Sequence, residues 1–191
     1  MKRYYLIILF LAFLGLVLIN CSVYQTEKIA ITSDNNIDLT NTYIKTKRFE
    51  GVIFDQNKSV FGLDNNRFTP TINDIKNAEN ILRDQIADLN EQGLNQIDDC
   101  PKIHKKLDKY RRQYLGLIDK NGDKIIYINC FWIQRGLDDF MTRRFLSGQT
   151  IQDERWTKEF VSVLDGCSYF WSIKVNLTRM ELFDLRINGI A

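Results

Sequence analysis

Apolar residues divide the chain into three stretches. From Tyr4 to Ile19 sixteen residues run without a charge behind Lys2 and Arg3, and the run stops at Asn20-Cys21. It has no polar face, so it does not suit a surface helix of a soluble domain. It is also shorter than the roughly 20 residues a spanning helix needs. A basic start, an apolar centre and an abrupt end describe an export signal. From Ser22 to about Lys47 the chain turns polar around Ser33-Asp34-Asn35-Asn36 and reads as a flexible tether. Beyond that point apolar residues recur with regular periods, as in a folded body.

Within that body the helical period comes first. Thr71 with Asp74 three residues on, and Pro70 just ahead, makes a capping-box-like start. Ile72, Ile75, Ala78, Leu82, Ile86 and Leu89 follow as a stripe, and Gly93 suits a helix end. Pro101–Tyr110 predicts a second, shorter helix with Ile103, Leu107 and Tyr110 on one side. After Tyr110 the period changes to two. Tyr114–Ile118 and Lys124–Ile133 read as strands around Asn121-Gly122, a hairpin signal in which both turn residues take positive φ. Gln134–Arg155 is a charged connection, helical around Leu137–Leu146, and Glu159–Leu164 reads as a strand.

Two final strands are the most regular. In Ser168–Leu177 the side chains of Tyr169, Trp171, Ile173, Val175 and Leu177 point one way. In Glu181–Asn188 the set Phe183, Leu185 and Ile187 alternates with Leu182, Asp184 and Arg186. The short link Thr178-Arg179-Met180 makes the two strands antiparallel neighbours. Arg48–Asp55 adds a further strand at an edge.

A helix followed by four or five antiparallel strands predicts an α+β domain with its helices on one sheet face. Over residues 68–191 the layout resembles a cystatin-like or NTF2-like roll, which implies a long helix in the concave face of a curved sheet. The expected organisation is a signal peptide over 1–20, a tether over 21–47 and one α+β domain over 48–191. Leu18-Ile19-Asn20-Cys21 resembles the lipobox of bacterial lipoproteins, with Asn20 where such motifs usually carry Gly, Ala or Ser. The chain is similar in this to small lipoproteins of Gram-negative cell envelopes. The resemblance implies that Cys21 is acylated, becomes the first mature residue and anchors the protein to a membrane, facing the periplasm or the exterior. Each buried CH₂ contributes about 0.8 kcal/mol, and two or more chains hold a protein on a bilayer stably.

Charge narrows the partners. Removal of Lys2 and Arg3 takes the basic residues from 26 to 24, equal to the 24 acidic ones. A neutral body with interspersed signs has no electrostatic footprint for nucleic acid. Once Cys21 is acylated, Cys100, Cys130 and Cys167 remain, enough for one disulfide and a leftover thiol in an oxidising compartment. Three pairs are open, Cys130 with Cys167 among them.

Candidate chemistry is thin. Asp119-Lys120-Asn121-Gly122-Asp123 superficially resembles a calcium loop, yet Gly122 is fourth and Cys130 stands twelfth, so a hairpin turn explains it. His104, four residues after Cys100, is too few ligands for zinc. Asp98-Asp99 and Asp138-Asp139 are adjacent pairs that do not face one another. Neither a nucleophile motif nor a phosphate loop occurs, which points away from an enzyme and from any cofactor or metal. The aromatic residues Phe131, Trp132, Trp156, Phe160, Tyr169, Phe170 and Trp171 suit a core. Phe170 falls on the polar side of its strand and Trp132 and Tyr127 flank the hairpin, and these three form the expected binding surface. The expected function is a lipid-anchored envelope module that binds a protein partner, as an inhibitor or immunity-type protein would. A small-ligand pocket or enzyme of NTF2-like form and a purely structural envelope component are the alternatives.

Overall fold

Thr71 caps the one α-helix among the described residues from both sides. Its Oγ1 accepts a hydrogen bond from Asp74 N at 3.1 Å, and its own N–H donates to Asp74 Oδ2 at 2.8 Å. The structure, a computed structural model, describes residues 24–32, 38–63, 66–97, 99–132 and 154–190. Its elements in chain order are β1 (Gln25–Thr32), β2 (Asp38–Lys45), β3 (Glu50–Ile53), β4 (Arg67–Phe68), α1 (Ile72–Leu89), β5 (Arg111–Ile118), β6 (Lys124–Phe131), β7 (Phe170–Asn176) and β8 (Glu181–Ile187). All eight strands join one sheet in the order β1-β2-β3-β5-β6-β7-β8, with β4 paired to β5 off that path. Every pairing is antiparallel except β3 with β5, which is parallel.

This corrects the expected fold class. A roll of four or five antiparallel strands behind a leading helix is replaced by a mixed, mostly β sheet in which four strands precede α1. The stretch expected as a tether supplies two of them, because its polarity is that of an edge hairpin. Gln25–Lys28 of β1 are exposed. In β2 Asn41 is buried with partners: its Nδ2 donates to Thr157 O at 2.8 Å, and its Oδ1 accepts from Asp55 N at 3.1 Å. The expected edge strand, β3, lies instead between β2 and β5, with Gly51, Val52 and Ile53 buried. Parallel pairing with β5 requires a crossover, and β4, α1 and two 3-10 turns supply it. Those turns, Ile103–Lys105 and Leu107–Lys109, stand where a second helix was expected.

Both faces of the sheet are covered. On one, Ile75, Ala78, Leu82 and Ile86 of α1 join Ile53, Tyr114, Ile126, Ile128, Trp171, Ile173 and Val175 in the larger core. On the other, Val52, Leu115 and Phe131 pack with Phe54, Val60, Trp156 and Val161. The segment over 156–161 covers this second face without joining the ladder. Amide side chains of the sheet hold its backbone instead: Gln113 Nε2 donates to Trp156 O and Glu159 O, both at 2.7 Å, and Asn129 Nδ2 donates to Val161 O at 2.8 Å. That is why Glu159–Leu164, strand-like in composition, is no strand. The connection expected over 134–155 falls largely outside the described residues.

The β5–β6 turn is a hairpin as expected, but only Gly122 adopts positive φ, at 83°; Asn121 does not. β8 departs from strict alternation through a bulge. Ser172 pairs with Arg186 while Lys174 pairs with Phe183, so Ile173 opposes two residues, and Asp184 takes φ of 53°. Leu182 before the bulge and Leu185 and Ile187 after it face the helix-side core. Phe183 is turned to the other face, with Lys174 Nζ 5.9 Å from its ring centroid.

Gly116 shows how tightly β4 seats on β5. A Cβ there would overlap the carbonyl oxygen of Phe68 and stand 2.8 Å from two of its ring carbons. Gly116→Ala is expected to cost about 1–3 kcal/mol. Urea unfolding of the variant beside the parent chain measures it, and an unchanged midpoint would mean that β4 does not hold this position.

Candidate functional site

Charge is buried at one place between α1 and β5. Glu79 lies on the inward stripe of α1 with Ile75, Ala78 and Leu82. Arg112 of β5 is 0% exposed. Its Nε stands 2.8 Å from Glu79 Oε1, with the N–H turned aside from that oxygen, so the contact is ionic rather than an aligned hydrogen bond. The same oxygen accepts from the Tyr114 hydroxyl at 2.9 Å. Arg112 Nη1 donates to Tyr110 O at 2.7 Å, and Nη2 donates to Leu107 O at 3.0 Å. Its guanidinium also lies over the Phe49 ring, 4.9 Å from the centroid. Arg83, one turn beyond Glu79, reaches out to Asp108 at 2.7 Å.

This set has a physical logic. Burial works most strongly against the charge on Arg112, yet the Glu79 carboxylate beside it, joined by Tyr114, Cys130 and Asp108, leaves its pKa raised. Burial, then the Glu79 charge, push the Tyr114 phenol well above its usual range, so it stays a protonated donor. Both guanidinium ends are spent on backbone carbonyls, which ties the two 3-10 turns to the sheet. The arrangement is a structural clamp. Burial likewise pushes the Cys130 thiol up, which keeps it protonated and a weak nucleophile.

The residues singled out from sequence are dispersed. Cys100 is bonded to Cys167, so Cys130 with Cys167 is not the pair, and Cys130 is buried and free. The reason is placement: Cys130 sits inside β6, facing the helix-side core, whereas Cys167 precedes β7 beside the loop that carries Cys100. The three aromatics expected to form a surface do not form one. Tyr127 and Phe170 pack at the margin of the second core, and Trp132 stacks between Tyr110 and Tyr169 with ring centroids 5.6 and 5.5 Å away. Asn90 Nδ2 stands 3.3 Å from His104 Nδ1. Asp119 closes its turn by accepting from Asn121 N and Asp123 N, both at 2.8 Å, and these backbone donors, Asp123 first, lower its pKa. Cys21, Asp98, Asp138 and Asp139 lie outside the described residues. Among the described residues no group of three or more His, Cys, Asp or Glu could hold a metal, and no helix is long and apolar enough to cross a membrane.

Sequence reasoning passed over Glu79 and Arg112, although a signal existed. Glu79 falls four residues after Ile75 and three before Leu82, a carboxylate on the apolar stripe. A charge there needs a buried partner from another element.

Exposed apolar side chains gather elsewhere, around the end of β8. Asn95 Nδ2 donates to Asn188 O at 2.8 Å, which brings Leu94 and Ile97 near that end. Asn188 Nδ2 donates to Val163 O at 2.5 Å and to Asp165 O at 3.0 Å, which brings Leu164 there too. Leu94, Ile97, Leu164 and Ile190 are 64, 60, 90 and 52% exposed. No protein-family model matches the chain, and no curated protein and no solved structure matches it either.

Glu79→Ala strands the Arg112 charge and is expected to cost about 3–5 kcal/mol by chemical unfolding. Glu79→Leu combined with Arg112→Met should recover most of that loss; a double variant no better than the single one would show that the charge is not the cause. Reduction of Cys100–Cys167, which spans 67 residues in sequence, should remove roughly 4 kcal/mol. For a body of this size that is a fall in Tm on the order of 10 °C, read by calorimetry with and without reductant.

Proposed function

We propose that the chain is an exported protein, acylated at Cys21, that works from the membrane surface by binding a protein partner. The reading is carried by the run Tyr4–Ile19 behind Lys2-Arg3 and by Leu18-Ile19-Asn20-Cys21 at its end. Cys100–Cys167 supports it independently, because an exported body meets the oxidising conditions in which such a bond persists. Binding is supported by what the body offers outward. Its Glu79–Arg112 cluster is spent on holding α1 to β5, whereas Phe61 stands fully exposed in the turn after β3.

Metabolic labelling with a fatty acid is expected to mark the wild-type chain and not Cys21→Ser. The variant should leave the membrane fraction, or be retained only as an uncleaved precursor. A label absent from wild type would end the acylation reading, and full-length chain with Met1 intact in the cytosol would end export as well. Crosslinking in intact envelopes should give one protein adduct of defined mass, and Phe61→Asp should diminish it.

A further inference from the structure

The sheet register gathers distant parts of the chain at one end. Gln25 pairs with Lys45, Lys45 with Glu50, Arg111 with Phe131, and Phe131 with Phe170, while the parallel pair aligns Gly51 with Arg112. The start of β1 therefore lies at the same end as the β2–β3 turn, the 3-10 turns ahead of β5, the start of β7 and the finish of β8. From Cys21 to Tyr24 is three peptide steps, at most ~11 Å of extended chain. An acyl anchor at Cys21 would thus hold this end, and not a distant one, against the bilayer.

The composition of that end suits the position. Lys47, Arg48, Lys102, Lys105, Lys106 and Lys109 are exposed on it. Residues 45–50, 90–97, 99–111, 165–170 and 187–190 together carry eight Lys and Arg against five Asp and Glu, and Asp98 makes a sixth acidic residue in the sequence of that stretch. The opposite end, described over 54–63, 66–68, 71–74, 119–124 and 177–181, carries five of each. The basic end also presents Leu94, Ile97, Leu164 and Ile190 around Asn188. Cations with aliphatic side chains among them form the surface a peripheral protein lays on anionic lipid: the cations meet headgroup phosphates and the aliphatics enter the acyl boundary.

We infer that this end of the sheet is a membrane-docking face for an anionic phospholipid surface, which holds the body in one orientation with the β5–β6 hairpin outermost. The inference rests on the anchoring at Cys21 proposed above, and adds a face that the anchor alone would not define. No single segment betrays it, since the cations come from the turn after β2 and the loop after α1.

The wild-type chain, purified from envelopes and reconstituted, tests it. Vesicles of phosphatidylcholine alone and with phosphatidylglycerol are treated with a water-soluble amine reagent, and each lysine's labelling rate is read by mass spectrometry. Lys105, Lys106 and Lys109 should label at least tenfold more slowly when phosphatidylglycerol is present, while Lys58 and Lys120 keep their rates. The quadruple variant Lys102→Glu, Lys105→Glu, Lys106→Glu and Lys109→Glu should lose that dependence at Lys47 while its near-ultraviolet circular dichroism stays as in wild type. If it does not fold, the wild-type comparison still decides. Equal rates at both ends, or protection indifferent to phosphatidylglycerol, would overturn the docking face, as would protection that arises only when an envelope protein is added. Fatty-acid labelling reports separately on Cys21: label without protection removes the face and keeps the anchor, and protection without label does the reverse.

Discussion

A single ion pair decides how this molecule is put together. Glu79 and Arg112 meet where α1 crosses the sheet, and neither could be buried without the other, since an isolated charge in an apolar interior costs several kcal/mol. Once paired, they settle more than their own energy. Arg112 spends its remaining donors on Tyr110 and Leu107, and Tyr114 gives its hydroxyl to Glu79. The helix, the central strand and the turns between them therefore share one register. Apolar packing alone would let α1 slide by a turn along the sheet; a carboxylate that must reach one guanidinium does not.

The two faces of the sheet are held by different means. On the helix side, aliphatic and aromatic side chains fill the space beneath α1. On the other side the covering segment over 156–161 leaves a short 3-10 turn, Glu154–Thr157, and forms no strand, and Gln113, Asn129 and Asn41 secure its carbonyls one by one. Side-chain amides thus stand in for a strand's backbone partners. Such contacts satisfy buried polar groups as a ladder would, but they leave the segment free of a strand's straightness.

What could be read from the residues was whatever a single segment declares by itself. The capping box at Thr71, the stripe of α1, the Asn121-Gly122 turn and the pairing of β7 with β8 are local, and each is present. What could not be read depends on partners far away in the chain. β1 and β2 look like a linker because β1 begins as an exposed edge and the buried Asn41 of β2 finds its partners only in the folded body. β3 looks like an edge because nothing local announces a parallel neighbour. The bulge at Asp184 turned Phe183 out of the set to which strict alternation assigned it. Of the candidate site residues, Tyr127 and Phe170 were misjudged for the same reason: a second face that alternation marks as wet is covered by a segment with no strand of its own.

The parallel contact between β3 and β5 also sets an order of events in folding. Residues 54 to 110 must loop out and return before β3 can find its neighbour, and β1 and β2 hang on β3. The N-terminal third of the body therefore cannot settle while the chain is still emerging N-terminus first. Until β5 appears, it is a three-stranded meander cut off from the central strands, with β3 lacking one of its two neighbours. The sheet is completed late, from its middle outward, and an N-terminus already held at a surface would wait there for the rest of the chain to arrive.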